Sequence, residues 1–200
     1  MRIIGGTAAG LLIQAPKGYD VRPTPDLVRQ AVFNSLGGRV VGARVLDLFS
    51  GTGALGLECL SRGAAEVLSI EKTHRHANMI RKNLESTGLP AERHQVREQD
   101  VFTAIGQLAS AQRQFDLIVA DPPFGEKNIG RRSTSMSQRL LDDAELPKLL
   151  APVGLFILGH TKRDTLTLPA HWQELKILKH GDSMMRFLTP SPHPMGRKSG

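Results

Sequence analysis

The segment Asp47-Leu48-Phe49-Ser50-Gly51-Thr52-Gly53-Ala54-Leu55-Gly56 narrows the possible folds more than any other stretch. Val45-Leu46-Asp47-Leu48-Phe49 predicts a buried strand. Gly51, Gly53 and Gly56 then form a Gly-x-Gly-x-x-Gly turn, and Ala54 to Arg62 reads as a helix stopped by Gly63. A strand feeding such a turn and a helix opens a βαβ unit, whose turn backbone can approach a nucleotide closely. The alternation continues. Residues 67–71 read as a strand, and a helix follows to about residue 86, with a stop at Gly88. A weaker strand at 94–98 leads to Asp100 and another helix, and 115–120 is the strongest later strand. A helix is expected over 138–150, and strands over 155–158, 175–178 and 184–188, the last two forming a hairpin. This order predicts an α/β fold with a doubly wound sheet.

Before the first strand, Arg22-Pro23-Thr24-Pro25-Asp26 reads as a helix start. Thr24 suits the N-cap, Pro25 the first helical position and Asp26 the positive end of the dipole. Leu27, Val28, Ala31, Val32 and Leu36 follow at helical spacing, and Gly37-Gly38 stops the helix. Residues 2–14, with Ile3-Ile4 and Leu11-Leu12-Ile13 around a glycine- and alanine-rich turn, read as a small hairpin or arm. Three segments are therefore expected: an arm over 1–22, the α/β domain over 23–189, and a proline-rich, mobile tail over 190–200.

Composition limits what such a domain does. Of the 200 residues, 40% are hydrophobic and 22% charged, enough apolar material for a core. No run of 18 apolar residues predicts a membrane span, and Met1-Arg2-Ile3-Ile4-Gly5-Gly6 lacks the layout of a signal peptide. The single cysteine, Cys59, excludes an internal disulfide and a multi-thiolate metal site, which points to the cytoplasm. Cys59 itself is expected in the core. The seven histidines form no metal set, and His74-x-His76 is expected on the surface. Lys and Arg number 26 against 19 acids, a net charge of +7 that attracts polyanions such as RNA or DNA. Aromatic residues are only 4%, too few for a broad stacking platform.

Charge selects among nucleotides. Glu71 lies 20 residues after Gly51, at the tip of the second strand, where a carboxylate can accept from both ribose hydroxyls. A dinucleotide would put its pyrophosphate at the glycine turn, where Asp47 opposes it. S-adenosylmethionine has no phosphate and carries a sulfonium and an ammonium, which an acid near the turn suits. Asp47 has a plainer role available, capping the turn by accepting from glycine amides. At the end of the strand 115–120 stands Asp121-Pro122-Pro123-Phe124. The prolines remove two donors and stiffen the loop, leaving carbonyl acceptors. Asp121 and the Pro122 carbonyl can accept the hydrogens of a planar amino group while Phe124 stacks on the ring that bears it.

Together the two motifs resemble class I S-adenosylmethionine-dependent methyltransferases that act on an exocyclic amino nitrogen. Arg22-Pro23-Thr24-x-Asp26-x-Val28-Arg29-x-Ala31-Val32-Phe33-Asn34 narrows the resemblance to bacterial small-subunit (16S) ribosomal RNA guanine-N2 methyltransferases of the RsmD type. The resemblance runs from residue 2 to about residue 188. It implies a seven-stranded Rossmann-like sheet with a small N-terminal β-hairpin, acting as a monomer on ribosomal RNA, presented in a small-subunit assembly particle. It implies a catalytic set of Asp121, Pro122, Pro123 and Phe124, and no metal. The cofactor set is Asp47, Ser50, Gly51, Thr52, Gly53, Gly56, Glu71, Lys72, Asp100, Val101 and Asp121. In this set Asp100 reaches the adenine amine and the Val101 amide the ring; Asp100 is equally placed to cap the helix that follows. The RNA set is Arg22, Thr24, Arg29, Asn34, Lys127, Arg131 and Arg132, with local capping and solvated charge as the plainer reading of each. Two positions depart from the family. Thr7-Ala8-Ala9-Gly10-Leu11-Leu12 lacks the arm's usual basic residues, and Gly159-His160 stands where a Glu is common.

Rival chemistries leave residues unexplained. DNA adenine-N6 modification commonly needs a target-recognition region, for which 200 residues leave little room; adenine-N6 transfer in RNA stays open beside it. Glutamine-N5 transfer usually carries Asn before Pro-Pro. An NAD-dependent oxidoreductase shares the turn and Glu71 but accounts for neither Asp47 nor Asp121-Pro122-Pro123-Phe124. A non-catalytic RNA-binding module explains only the charge.

Overall fold

The computed structural model describes residues 1–15, 25–123, 127–128 and 131–192. Five parallel strands and an antiparallel pair form one seven-stranded sheet, ordered β3-β2-β1-β4-β5-β7-β6. They are β1 (Arg44–Leu48), β2 (Glu66–Glu71), β3 (His94–Glu98), β4 (Phe115–Ala120), β5 (Leu150–Thr161), β6 (Trp172–His180) and β7 (Ser183–Pro190). The helices are α1 (Asp26–Leu36), α2 (Ala54–Ser61), α3 (His74–Thr87), α4 (Val101–Ser110) and α5 (Met136–Asp142).

Strands buried on both faces need apolar residues at successive positions, and β1 and β4 have them. Val45, Val67, Leu117, Val119 and Ile157 point into one core with residues of α1, α2 and the N-terminal arm. Leu46, Leu48, Ile70, Ile118 and Leu158 point into the other with α4 and α5. Cys59 is fully buried in the first. Among the described residues, no helix is long and apolar enough to cross a membrane.

Four elements differ from the sequence reading. The helix expected over 138–150 is α5 alone, capped by Ser135 Oγ accepting from the Gln138 amide, followed by a separate 3-10 turn at Leu146–Leu149. Asp143 Oδ1 accepts from the Glu145 and Leu146 amides, and Pro147 has no amide to continue an α-helix. α1 begins at Asp26 with extended Pro25 as its N-cap; Thr24 lies outside the described residues. β5 and β6 run longer than expected because pairing extends past their apolar runs: Leu150 already pairs with Phe115 of β4, Thr161 with Ser183 of β7, and β6 pairs with β7 from Trp172 to His180.

The arm turns back on itself, with Arg2 bridging Leu12, and packs against the domain. Glu58 of α2 accepts the Ile4 and Gly5 amides at 2.7 and 2.8 Å, and the Ser61 carbonyl accepts the Thr7 amide. Ile3, Ala8 and Ile13 enter the core. Of the expected tail, Pro190 ends β7, and residues 193–200 lie outside the described residues.

Candidate active site

The strand order reverses between β1 and β4, and Leu48 of β1 pairs with Ala120 of β4. Ligands of open α/β sheets bind beyond the carboxyl ends of the strands at such a switch point. The glycine turn leaves from one side of it and Asp121 from the other.

The turn uses left-handed backbone at Phe49 (φ 56°), Gly51 (φ 55°) and Gly53 (φ 79°). Phe49 is the costly one, because a side chain at such φ is strained. Ser50 Oγ donates to the Asp47 carbonyl at 2.7 Å, and the Gly53 amide to the Ser50 carbonyl at 2.7 Å. A Cβ on Gly53 would meet Ile80 Cγ2 at 2.9 Å, so glycine there lets α3 approach; one on Gly51 would meet nothing closer than Phe49 O at 3.9 Å. The outer face of the turn is open at Gly51, while Ser50 and Thr52 are buried. Asn83, fully buried on α3, donates to the Thr52 carbonyl and accepts the Gln14 amide, tying turn to arm. The sequence reading missed it, although an Asn between Ile80 and Leu84 on an apolar stripe was the available signal.

Among the described residues, Glu71, Asp100 and Asp121 stand at this edge, with Asp47 beneath the turn. Glu71 accepts the Gly51 amide through Oε2 at 2.9 Å and the Thr73 amide through Oε1 at 2.8 Å, and each oxygen keeps a lone pair for a hydroxyl. His76 was expected on the surface. Instead its ring is turned in, with Nδ1 3.7 Å from Glu71, while His74 is exposed as expected. Asp100 caps α4, Oδ1 accepting the Phe102 and Thr103 amides, and Oδ2 lies 3.4 Å from the exposed Lys72 ammonium. Burial opposes its charge, but those amides and Lys72 prevail and hold its pKa below the usual range. Val101 buries its side chain in the core.

Asp47 corrects the expectation of a contact with the ligand's cationic groups. Its side chain lies beneath the turn, 1% exposed, where Oδ2 accepts from the Gly56 amide at 3.2 Å and from Ser69 Oγ at 3.4 Å. This is the turn-capping role, and burial pushes its pKa up to about 7. Gly56 is required there, since a Cβ would sit 2.9 Å from Asp47 Oδ2.

Asp121 follows β4, half-buried, with Pro122 buried and Pro123 exposed behind it; Phe124 lies outside the described residues. β5 runs alongside, and Gly159 packs against Asp121. His160 next to it is buried, Nδ1 directed at the Thr161 and Asp164 carbonyls and Nε2 accepting from Arg186 Nε at 3.0 Å. Arg186 in turn pairs with Glu174, so His160 is a brace in the sheet.

Arg29 is also corrected. It is fully buried, donating to the Arg2 carbonyl and to Asp26 Oδ1, each at 2.7 Å, with Nη1 3.9 Å from the buried Glu58. It pins the arm and α1 to α2 and offers no surface to RNA. Arg22 and Thr24 lie outside the described residues. Asn34 is exposed on α1 beside the β6 edge, where Lys176 donates to Ser35. Lys127, Arg131 and Arg132 are exposed and line one cleft. The sequence reading also passed over an aromatic corner: Phe49 meets Phe102 edge-on at 6.3 Å, and the Arg139 guanidinium lies 4.0 Å from the Phe102 ring centre.

Over residues 1–189 the chain matches the family described as "Conserved hypothetical protein 95". It is 31% identical over 176 residues to ribosomal RNA small subunit methyltransferase D of Haemophilus influenzae, covering 88% of this chain and 86% of that one. The chain belongs to the ribosomal RNA small subunit methyltransferase D family. Among solved structures, the Thermus thermophilus protein TTHA0928 is 27% identical with a TM-score of 0.75, covering 94% of this chain and 99% of that one. A 16S rRNA N2 methyltransferase from the same organism, solved with AdoMet and guanosine, is 25% identical with a TM-score of 0.59, over 87% of this chain and 44% of that one. Both the family and the sheet agree with the sequence reading.

Proposed function

We propose that the protein transfers a methyl group from S-adenosylmethionine to the exocyclic N2 of a guanine in small-subunit ribosomal RNA. One observation carries this reading: the open glycine turn and the Asp121-Pro122 loop flank the same switch point, so cofactor and amine donor sites adjoin.

The residues fit the cofactor. Gly51 leaves the turn face open, Glu71 stands ready for ribose hydroxyls, and Asp100 at the next strand end suits the adenine amine. Glu71, Asp100 and Asp121 favour a cationic ligand over a pyrophosphate, and Asp47 adds to that field when ionised. Bound S-adenosylmethionine supplies an electrophilic sulfonium methyl. The family relatives named for ribosomal RNA, and the neighbour solved with guanosine, support the choice of acceptor.

The guanine amine is a poor nucleophile because its lone pair is delocalised into the ring. Asp121 and the Pro122 carbonyl accept its hydrogens, favouring a pyramidal nitrogen whose lone pair points at the methyl carbon. The N–C bond forms as the C–S bond breaks in line, S-adenosylhomocysteine leaves, and the amine proton passes to water. Positioning of this kind lowers barriers by up to roughly 7–11 kcal/mol. Phe124 is the proposed stacking partner of the base.

The test uses tritiated-methyl S-adenosylmethionine and small subunits from cells lacking the protein. The parent is expected to label the RNA, and Asp121→Ala to retain cofactor binding yet transfer nothing. Normal turnover by Asp121→Ala would overturn the role given to the loop.

A further inference from the structure

Beyond Pro123 the chain runs into one wall of a cleft of about 600 Å³, formed by Lys127, Arg131 and Arg132. The opposite wall comes from after β5: Arg163, Thr165 and Thr167, which alternate with the buried Asp164 and the half-buried Leu166 and Leu168. Period-two alternation turns the first three side chains to one face. Nothing in the sequence reading joined this segment to the catalytic loop.

Two side-chain amides build the junction. Asn128 accepts the Thr165 amide at 2.9 Å and donates to the Thr165 and Arg131 carbonyls at 3.0 and 3.1 Å. Gln138, 1% exposed on α5, accepts the Thr167 amide at 2.7 Å and donates to the Thr167 carbonyl at 2.9 Å. The backbone of Thr165 and Thr167 is therefore held as a neighbouring strand would hold it, and the two walls are fixed relative to each other.

Among the described residues, every charged side chain lining the cleft is a cation, and the rest are amides or hydroxyls. Arg132 reaches out to Asp142, and Arg163 to Asp182 at 3.6 Å; both pairs are exposed and weak in water. Forked guanidinium groups beside an ammonium and hydroxyls match phosphate oxygens in geometry and charge.

We infer that this cleft is a phosphate cradle for the RNA backbone flanking the target guanine, with Arg163 supplying its far wall and Asn128 as the positioning residue that holds it shut. The inference rests on RNA being the substrate. Arg163 follows four residues after Gly159, which packs against Asp121, so the cleft lies at the end of the sheet where that carboxylate stands. A lone phosphate-bearing metabolite would need only one wall.

The experiment measures binding of a fluorescein-labelled RNA hairpin with an unpaired guanine to the full chain, from 50 to 250 mM KCl. Withdrawing one cation from a phosphate lowers the slope of log affinity against log salt by about 0.7–0.9. Arg163 is largely exposed, so its replacement leaves the fold intact. Arg163→Gln is expected to weaken binding several-fold and lower the slope by one such step, Arg163→Lys to keep the slope, and Asn128→Ala to weaken binding with cofactor affinity unchanged. Parental affinity and slope in both Arg163→Gln and Asn128→Ala would overturn the cradle, as would weaker binding of duplex DNA of the same sequence with RNA binding unchanged. Methyl transfer, assayed in parallel, separates the two readings. A parent that grips RNA through Arg163 but methylates no RNA upholds the cradle and defeats the proposed reaction.

Discussion

A Cβ placed on Gly159 would lie 2.2 Å from Oδ1 of Asp121. The two residues sit on adjacent strand ends, and no side chain fits between them without moving the carboxylate. Gly159→Ala is therefore expected to swing Asp121 off the position where it meets the substrate amine. Misplacement by about 1 Å costs on the order of 100-fold in rate. Single-turnover transfer should fall by roughly 10- to 100-fold, with cofactor affinity held. A parental rate would show that Asp121 need not be fixed.

Glu71 holds the Gly51 and Thr73 amides as well as facing the expected ribose. Glu71→Gln removes the charge and turns an NH2 toward one of those donors. Hydrogen bonds to charged groups contribute about 1.5–3 kcal/mol, so S-adenosylmethionine affinity should drop roughly 10- to 100-fold by titration calorimetry. Unchanged affinity would remove Glu71 from the cofactor site.

Arg29 tests the distinction between surface and core. With its guanidinium beside the buried Glu58, Arg29→Ala should destabilise the fold by about 3–5 kcal/mol in urea unfolding. The salt slope of RNA binding should not move. The reverse pattern would return Arg29 to the RNA interface.

Asp47 and His94 are joined through Ser69, whose Oγ lies 3.4 Å from Asp47 Oδ2 and 2.9 Å from His94 Nε2. Burial drives their pKa values in opposite directions, Asp47 up to about 7 and His94 down to about 4. Asp47 folds more readily protonated, so its contribution is present below about pH 4 and lost as pH rises through 7. His94 folds more readily neutral, so its contribution is present above about pH 6.5 and lost as pH falls through 4. Relative to the parent, Asp47→Asn should gain stability as pH rises from 4 to 7, and His94→Gln as pH falls from 6.5 to 4. Urea unfolding across that range checks both signs.

How far the sequence reached depended on whether a signal was local. β1, β2 and β4 were legible because apolar runs signal strands directly, whereas β3, with Val96 as its one apolar residue, gave only a weaker signal. The end of α5 was not, because Asp143 and Pro147 break a pattern whose apolar spacing continues. Glu71, Asp100 and Asp121 were legible at strand ends. Arg29 was misread because a positive charge reads as surface unless its partner Glu58, 29 residues away, is known to be buried. Asn83, Gly159 and Arg163 act through neighbours on other elements, and only the folded chain brings those together.

The most direct measurement is where the methyl group goes. Small subunits lacking the modification would be treated with enzyme and trideuteromethyl S-adenosylmethionine, and their RNA digested and analysed by mass spectrometry. The account predicts the heavy methyl in N2-methylguanosine, and none with Asp121→Ala. Heavy methyl in N6-methyladenosine, or in protein glutamine with none in guanosine, would contradict it.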